Sequence, residues 1–490
     1  MRESGILMHL SSLPSPYGIG TMGKEAYRFA DFLARAKQKV WQMLPVSPTS
    51  YGDSPYQSFS TFAGNPYFID LDTLCKEGLL KKSEITSRSW GEDETRVDYA
   101  VLYENRYPLL KKAAKRFFEN PDEEYEAFVC KETKWLEDYV LFMALKEENG
   151  GKPWYEWPDD VRYRNYDALQ ATYARLYDEI LFWRFVQYEF YKQWTALKTY
   201  VNEKGIEILG DLPIYVAHDS ADVWANSILF MVDETRTPVE VAGCPPDYFS
   251  ATGQLWGNPV YSWEAHRQTG FDWWIRRIDH ATRVFDRVRI DHFRGFESYW
   301  AIPAGDEDAT GGEWKKGPGM ELFNRVKEVL GERKIIAEDL GIITDEVREL
   351  LKESGFPGMK VMEFAFTPNV ESDYMPHNHV QNAVCYTGTH DNEPLCAWLK
   401  SRTRSELNYM KKYLRITENE DCADAVLAAV WASPANTAIA QMQDFLGLGA
   451  ESRMNTPSTA SGNWCWRVKK DQLTPAVSNK IKALTKLYWR

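Results

Sequence analysis

Short apolar runs separated by amphipathic stretches set the rhythm of the chain. Ile6 to Leu10 reads as a buried strand, and Ser11 to Gly20 is a loop rich in Pro and Gly. Residues 24 to 38 then place Ala26, Phe29, Ala30, Leu33 and Ala34 on one helical face. VWQMLPVSP, residues 40 to 48, is a second apolar strand that stops at prolines. Strand, helix, strand is a βα unit, and a parallel sheet follows from its repetition. The pattern predicts further strands from Ile206 to Leu209, at 287 to 290, over 334 to 342, 358 to 366 and 383 to 394, and from Ala438 to Met442. The segment FDWWIRRIDHATRVF (271–285), the stretch from 402 to 430 and a closing stretch with Val477, Ile481 and Leu484 at helical spacing read as helices.

Eight strand candidates in this rhythm predict an α/β chain folded as a (β/α)8 TIM barrel. The expected organisation is a single barrel domain over residues 1–490, with long loops at the C-terminal face of the barrel. Residues 72–200 break the rhythm and read as a largely helical inserted subdomain after the second strand, with helices over 131–147 and 176–199. Residues 240–263 lack periodicity and are rich in Gly, Pro and aromatics, including Tyr248, Phe249 and Trp256. Such a long aromatic loop is expected to form a lid or groove wall at the functional site.

Composition narrows the partners. A net charge of −13 from 58 basic and 71 acidic residues argues against nucleic acid and suits a neutral substrate. No apolar run is long enough to cross a membrane, and MRESGILMHLSS enters the first strand without a secretory or transit segment, so no membrane partner is expected. Seven scattered cysteines fit a reducing cytoplasm. With no CxxC pair and no HExxH motif, no structural or catalytic zinc site is expected as a metal centre. The 19 Trp and 27 Tyr exceed what a core requires, and such rings stack on flat ligands as well as on each other.

The chemistry concentrates at strand ends. RVFDRVRIDHFRGF, residues 283 to 296, brings Arg289, Asp291, His292 and Arg294 to the end of a strand. Glu338 follows KIIA, and Asp391 follows AVCYTGTH, so three acids share one context. In a barrel these strand ends meet at one mouth. Two converging carboxylates suffice for glycosidic chemistry, one to attack or activate water and one to carry the proton of the leaving oxygen. Arg289, on the same strand face as Asp291, is expected to keep it ionised and nucleophilic. An apolar lead-in and the adjacent Asp339 are expected to raise the pKa of Glu338 and suit it to acid/base work. Asp391 beside His390 is expected to bind sugar hydroxyls and favour a positively charged transition state. Asp53, Tyr56 and Gln57 are candidates to line the pocket, with packing of their own loop as the alternative for Tyr56. The residues leave open salt bridging at the barrel rim, or a two-histidine, two-carboxylate metal site.

GDLPIYV (210–216), RIDHFRG (289–295), AEDLG (337–341) and TGTHDN (387–392) resemble the strand-end motifs of the amylomaltases, 4-α-glucanotransferases of the α-amylase clan. GILMHLSSLPSPYGIG, WQMLPVSPTSYGDSPYQSFS and PPDYFSATGQLWGNP are similar to that family as well. The resemblance runs from about residue 5 to the carboxy terminus. It implies a retaining double displacement on α-1,4-glucans, such as maltooligosaccharides, amylose or glycogen branches, with no cofactor. It makes Asp291 the nucleophile, Glu338 the general acid/base and Asp391 the transition-state stabiliser. Arg289, His292, His390 and Asp211 would surround the reacting sugar, and Tyr56 would line the groove. Asp247, Tyr248 and Phe249 would belong to a loop arching over the glucan, with Trp256 at its end. A hydrolase of the same clan, a phosphorylase and a non-catalytic glucan-binding protein are the competing readings.

Overall fold

Eight parallel strands make a nearly closed barrel in the computed structural model, which describes residues 2–246, 250–459 and 461–490. We number the barrel strands β1 (Glu3–Leu7), β2 (Val40–Gln42), β3 (Glu207–Leu212), β4 (Arg287–Ile290), β5 (Ile335–Ala337), β6 (Gly358–Val361), β7 (Ala383–Tyr386) and β8 (Thr437–Gln441). Each of β1 to β4 pairs with the next, β6 pairs with β7, β7 with β8, and β8 returns to β1. The seam between β5 and β6 is bridged by the Ala337 N–H donating to the Pro357 carbonyl at 2.9 Å. There the Met359 N–H also donates to Asp339 Oδ1 at 2.6 Å.

The strands are apolar because a parallel barrel is covered inside and out. Ile6, Val40, Trp41, Ile208, Leu209, Ile290, Ala337, Met359, Val361 and Ile439 are fully buried. Helix Lys24–Arg35 buries Ala26, Phe29, Ala30 and Leu33 against this wall, one stripe at helical spacing. All eight predicted strands are present, and several are shorter than their apolar runs: 334 to 342 contributes three residues and 40 to 48 contributes three. Past those points the chain leaves the ladder, and the apolar residues pack in loops.

Between β2 and β3 lie helices including Tyr99–Phe117, Glu123–Glu148 and Tyr177–Glu203, the first two capped by Asp98 and Asp122. The last two pack along each other, and Trp194 Nε1 donates to the Val284 carbonyl at 2.9 Å, tying the last helix to the approach to β4.

The stretch 240–263, which showed no periodicity, contains two strands. Glu240–Cys244 and Gln254–Pro259 pair antiparallel and join Ser298–Pro303 and Glu313–Lys316 in a second, four-stranded sheet. A Cβ at Gly243 would stand 2.1 Å from the Gln254 carbonyl, so the close approach of this hairpin requires glycine. That glycine and the neighbouring prolines erased the alternation expected of strands.

Candidate active site

The barrel register assembles the site. Asp211 in β3 stands opposite Arg289 in β4. Ile290 stands opposite Ala337, so Asp291 and Glu338 are the next residues on adjacent strands. The ladder continues through them: Asp291 N–H donates to the Leu212 carbonyl at 3.0 Å and Glu338 N–H to the Ile290 carbonyl at 3.1 Å. Asp211, placed by sequence just past its strand, lies within it.

Arg289, 3% exposed, bridges two acids. Its Nε and Nη2 reach Asp211 Oδ2 at 2.9 and 2.8 Å, and Nη2 reaches Asp291 Oδ1 at 3.0 Å. Tyr56 OH donates to the same Asp211 oxygen at 2.8 Å, and its ring stacks on His390 with centroids 5.1 Å apart. Asp211 and Tyr56 thus hold Arg289 and His390 in place from behind. His390 Nε2 lies 3.3 Å from Asp391 Oδ2, while Asn455 Nδ2 donates to Asp391 Oδ1 at 2.6 Å. Glu338 Oε2 accepts the backbone N–H of His292 at 2.5 Å. His292 makes this contact from a left-handed backbone, φ 49°, and its ring meets Trp256 edge-on at 4.9 Å.

Burial pushes both central carboxyls up. Asp291 rises to about 7, an increase that Arg289 opposes and Asp211 and Asp391 reinforce. Glu338 rises to about 8, with Asp291 as its next largest cause. Arg289 bonds Asp291 and lowers its pKa in the direction expected, but burial outweighs a guanidinium already engaged by Asp211. The neighbour that raises Glu338 is Asp291 across the strand, whereas Asp339 turns to the β5–β6 seam. The order of the pair follows physically, since Arg289 bonds Asp291 while no cation among the described residues bonds Glu338. Burial keeps the imidazoles neutral, lowering His292 to about 3 and His390 below its ordinary value.

Arg294 does not join the acids. Its guanidinium donates to the Ile342 carbonyl at 2.6 Å and to Ser298 Oγ at 2.9 Å, and it lies 3.8 Å from the Trp314 ring centroid. Asp247, Tyr248 and Phe249 lie outside the described residues. Among the described residues no group of three or more His, Cys, Asp and Glu is arranged to hold a metal ion.

The model of the Glyco_hydro_77 family, described as 4-alpha-glucanotransferase, matches residues 8–474. The chain belongs to this 4-alpha-glucanotransferase family. It is 52% identical over 492 residues to the 4-alpha-glucanotransferase of Streptococcus pneumoniae serotype 4, covering 100% of this chain and 97% of that protein. Against the 4-alpha-glucanotransferase of Thermus thermophilus it is 47% identical over 494 residues, covering 99% and 98%. The solved amylomaltase from Streptococcus agalactiae in complex with acarbose superposes with a TM-score of 0.97 at 46% identity, covering 100% of both chains.

Within this family member the loop after β8 supplies site residues that sequence reasoning did not single out. Asn455 bonds the Asp391 carboxylate, and Arg453 Nη2 donates to the Asp391 carbonyl at 2.6 Å. Trp464 packs on both Tyr56 and His390, at 5.6 and 5.8 Å. The available signal was a polar, turn-rich stretch containing Asn455 and Trp464 in the segment that follows the last barrel strand, where this architecture places functional loops.

Proposed function

We propose that the protein transfers α-1,4-glucan segments from one glucan to the 4-hydroxyl of another glucan or of glucose, by a retaining double displacement. One observation carries the reading: Asp291 and Glu338 sit side by side on in-register strand ends, with Arg289 bonded to Asp291 alone of the two. Neighbouring strands run about 4.8 Å apart, close to the roughly 5 Å carboxyl separation that suits retention.

The Asp291 carboxylate attacks the anomeric carbon as the glycosidic C–O bond breaks, and Glu338 gives its proton to the departing 4-oxygen. The shortened glucan leaves and an acceptor enters. Its 4-hydroxyl returns a proton to Glu338 as its oxygen displaces Asp291, so the linkage re-forms with its original configuration. Asp391 stabilises the positive charge that builds at the anomeric carbon, and neutral His292 and His390 hydrogen-bond sugar hydroxyls. Asp211 and Tyr56 orient Arg289 and His390. Trp256 walls the groove so that sugar rather than water resolves the intermediate.

Residues 1–490 then act as one catalytic barrel domain, with 72–200 carried on it and 240–263 forming the site's loop region. Substrates are maltooligosaccharides, amylose and glycogen branches. A cytoplasmic setting accords with seven free cysteines, and no described helix is long and apolar enough to cross a membrane.

Incubation with maltotriose, followed by chromatography with reducing ends counted in parallel, tests the proposal. A ladder of longer glucans at constant reducing-end number is the expected result. Rising reducing ends without a ladder would make the protein a hydrolase, and no reaction with maltotriose, maltopentaose or amylose would refute glucan transfer.

A further inference from the structure

The loop from Thr387 to Leu395 carries His390 and Asp391, and both of its ends are tied to one buried carboxylate outside it. Asp444 belongs to helix Met442–Leu446, directly after β8, and is 2% exposed. Its Oδ2 accepts from Thr387 Oγ1 at 2.6 Å, and its Oδ1 accepts from the Leu395 N–H at 2.8 Å. Inside that span Asn392 Oδ1 accepts from both the N–H and the hydroxyl of Thr389, at 2.8 and 2.9 Å. The Glu363 N–H donates to the Thr387 carbonyl at 3.2 Å.

Asp391 itself has little packing to hold it, with 45% of its side chain exposed. Its direction is inherited from its loop and from the bonds of Asn455, Arg453 and His390 at its tip. We propose that Asp444 is a positioning residue for glucan transfer: by joining the two ends of the loop it aims Asp391 at the reacting sugar. The inference rests on the role given to Asp391 above. A shift of about 1 Å in such a group costs on the order of 100-fold in rate.

Substitution separates aim from bulk support. Asp444→Ala leaves the Leu395 N–H and the Thr387 hydroxyl without their acceptor. In Asp444→Asn the amide oxygen can accept from Leu395 while the amide nitrogen donates to the Thr387 hydroxyl, which serves as donor or acceptor. With maltosyl fluoride as donor and maltose as acceptor, Asp444→Ala should lower kcat by about 100-fold with little change in KM, and Asp444→Asn should restore most of it. Thr387→Val, which removes one tie at constant volume, should fall between them and supplies the same comparison if Asp444→Ala does not fold. In an Asp391→Asn background, Asp444→Ala or Thr387→Val should cost no more than about threefold further, because a group already lost cannot be misaimed.

Full, additive losses in both backgrounds would overturn the inference and leave Asp444 a support of the fold alone. Unchanged kcat in Asp444→Ala would overturn it equally. Undiminished activity of Asp391→Asn by itself would instead refute the role assigned to Asp391.

Discussion

At the N-terminal end of the barrel Arg287, the first residue of β4, forms ion pairs with Glu3 of β1 and Glu207 of β3, and Lys334 reaches Glu207 at 2.6 Å. Two residues along the same strand, at the C-terminal end, Arg289 faces Asp211 and Asp291 with Glu338 and Asp391 close by. The two ends use the same residue types to opposite effect. At the first, burial raises Glu207, but hydrogen bonds from Lys334 and Arg287 outweigh it and leave the carboxyl below its ordinary value. At the second, acids outnumber the bonded cation, and burial drives Asp291 and Glu338 up. Balanced charge fastens strands. Unbalanced charge in a buried mouth produces carboxyls that exchange protons near neutrality, which acid/base chemistry requires.

Substitutions at the two ends should therefore differ in kind. The largest effect belongs to Asp291→Asn, which should lower transfer from maltotriose by at least about 10⁴-fold with the fold intact by circular dichroism. Removing the cation by Arg289→Met should cost about 100-fold in kcat/KM. It should also move the acid limb of the pH profile upward, because Asp291 must be ionised to attack and its burial would then be unopposed. In the unsubstituted protein that limb should fall away as pH drops through about 7, when Asp291 takes up a proton. The alkaline limb should fall as pH rises through about 8, when Glu338 loses its proton. An activity plateau extending down to the ordinary carboxyl range would contradict the burial argument.

The comparison also makes a stability prediction with a definite sign. The folded state binds the Glu338 proton more tightly than the unfolded chain, so this group's stabilising contribution is complete below its unfolded pKa and is lost as pH rises toward about 8. Glu338→Gln should abolish transfer from maltotriose yet raise Tm at alkaline pH, with the gain shrinking as pH falls toward about 4. Arg287→Ala should do the reverse. Thermal unfolding should show a loss of about 2–3 kcal/mol, since Glu3 loses its cation and Glu207 keeps only Lys334, while kcat stays within about threefold.

The barrel was legible because its strands are buried on both faces and so appear as short apolar runs between amphipathic helices. The acids were legible because each follows such a run. What the sequence hid depends on pairing between distant segments. The antiparallel hairpin of residues 240–244 and 254–259 is stabilised by Ser298–Pro303 and carries Gly243 where a strand pattern expects a side chain. Arg294 looked like a companion of Asp291, but the turn after His292 swings it to Ser298 and Trp314. Asn455, Arg453 and Asp444 reach the Asp391 loop from beyond β8, and their spacing carries no signal. That Arg289 sits beside Asp291 was legible from strand alternation. The height of both carboxyl pKa values was not, because burial of the mouth is a property of the assembled barrel.

The most direct test of the charge imbalance at the mouth is to trap its product. Glu338→Gln, incubated with maltosyl fluoride, has a leaving group that needs no proton but lacks the base to release the sugar. The account predicts that digestion and mass spectrometry will find a maltosyl ester on the peptide containing residues 283–296, at Asp291, and none when Asp291 is also changed to Asn. A maltosyl ester on another carboxylate, or fluoride release with no covalent sugar at any time point, would contradict it.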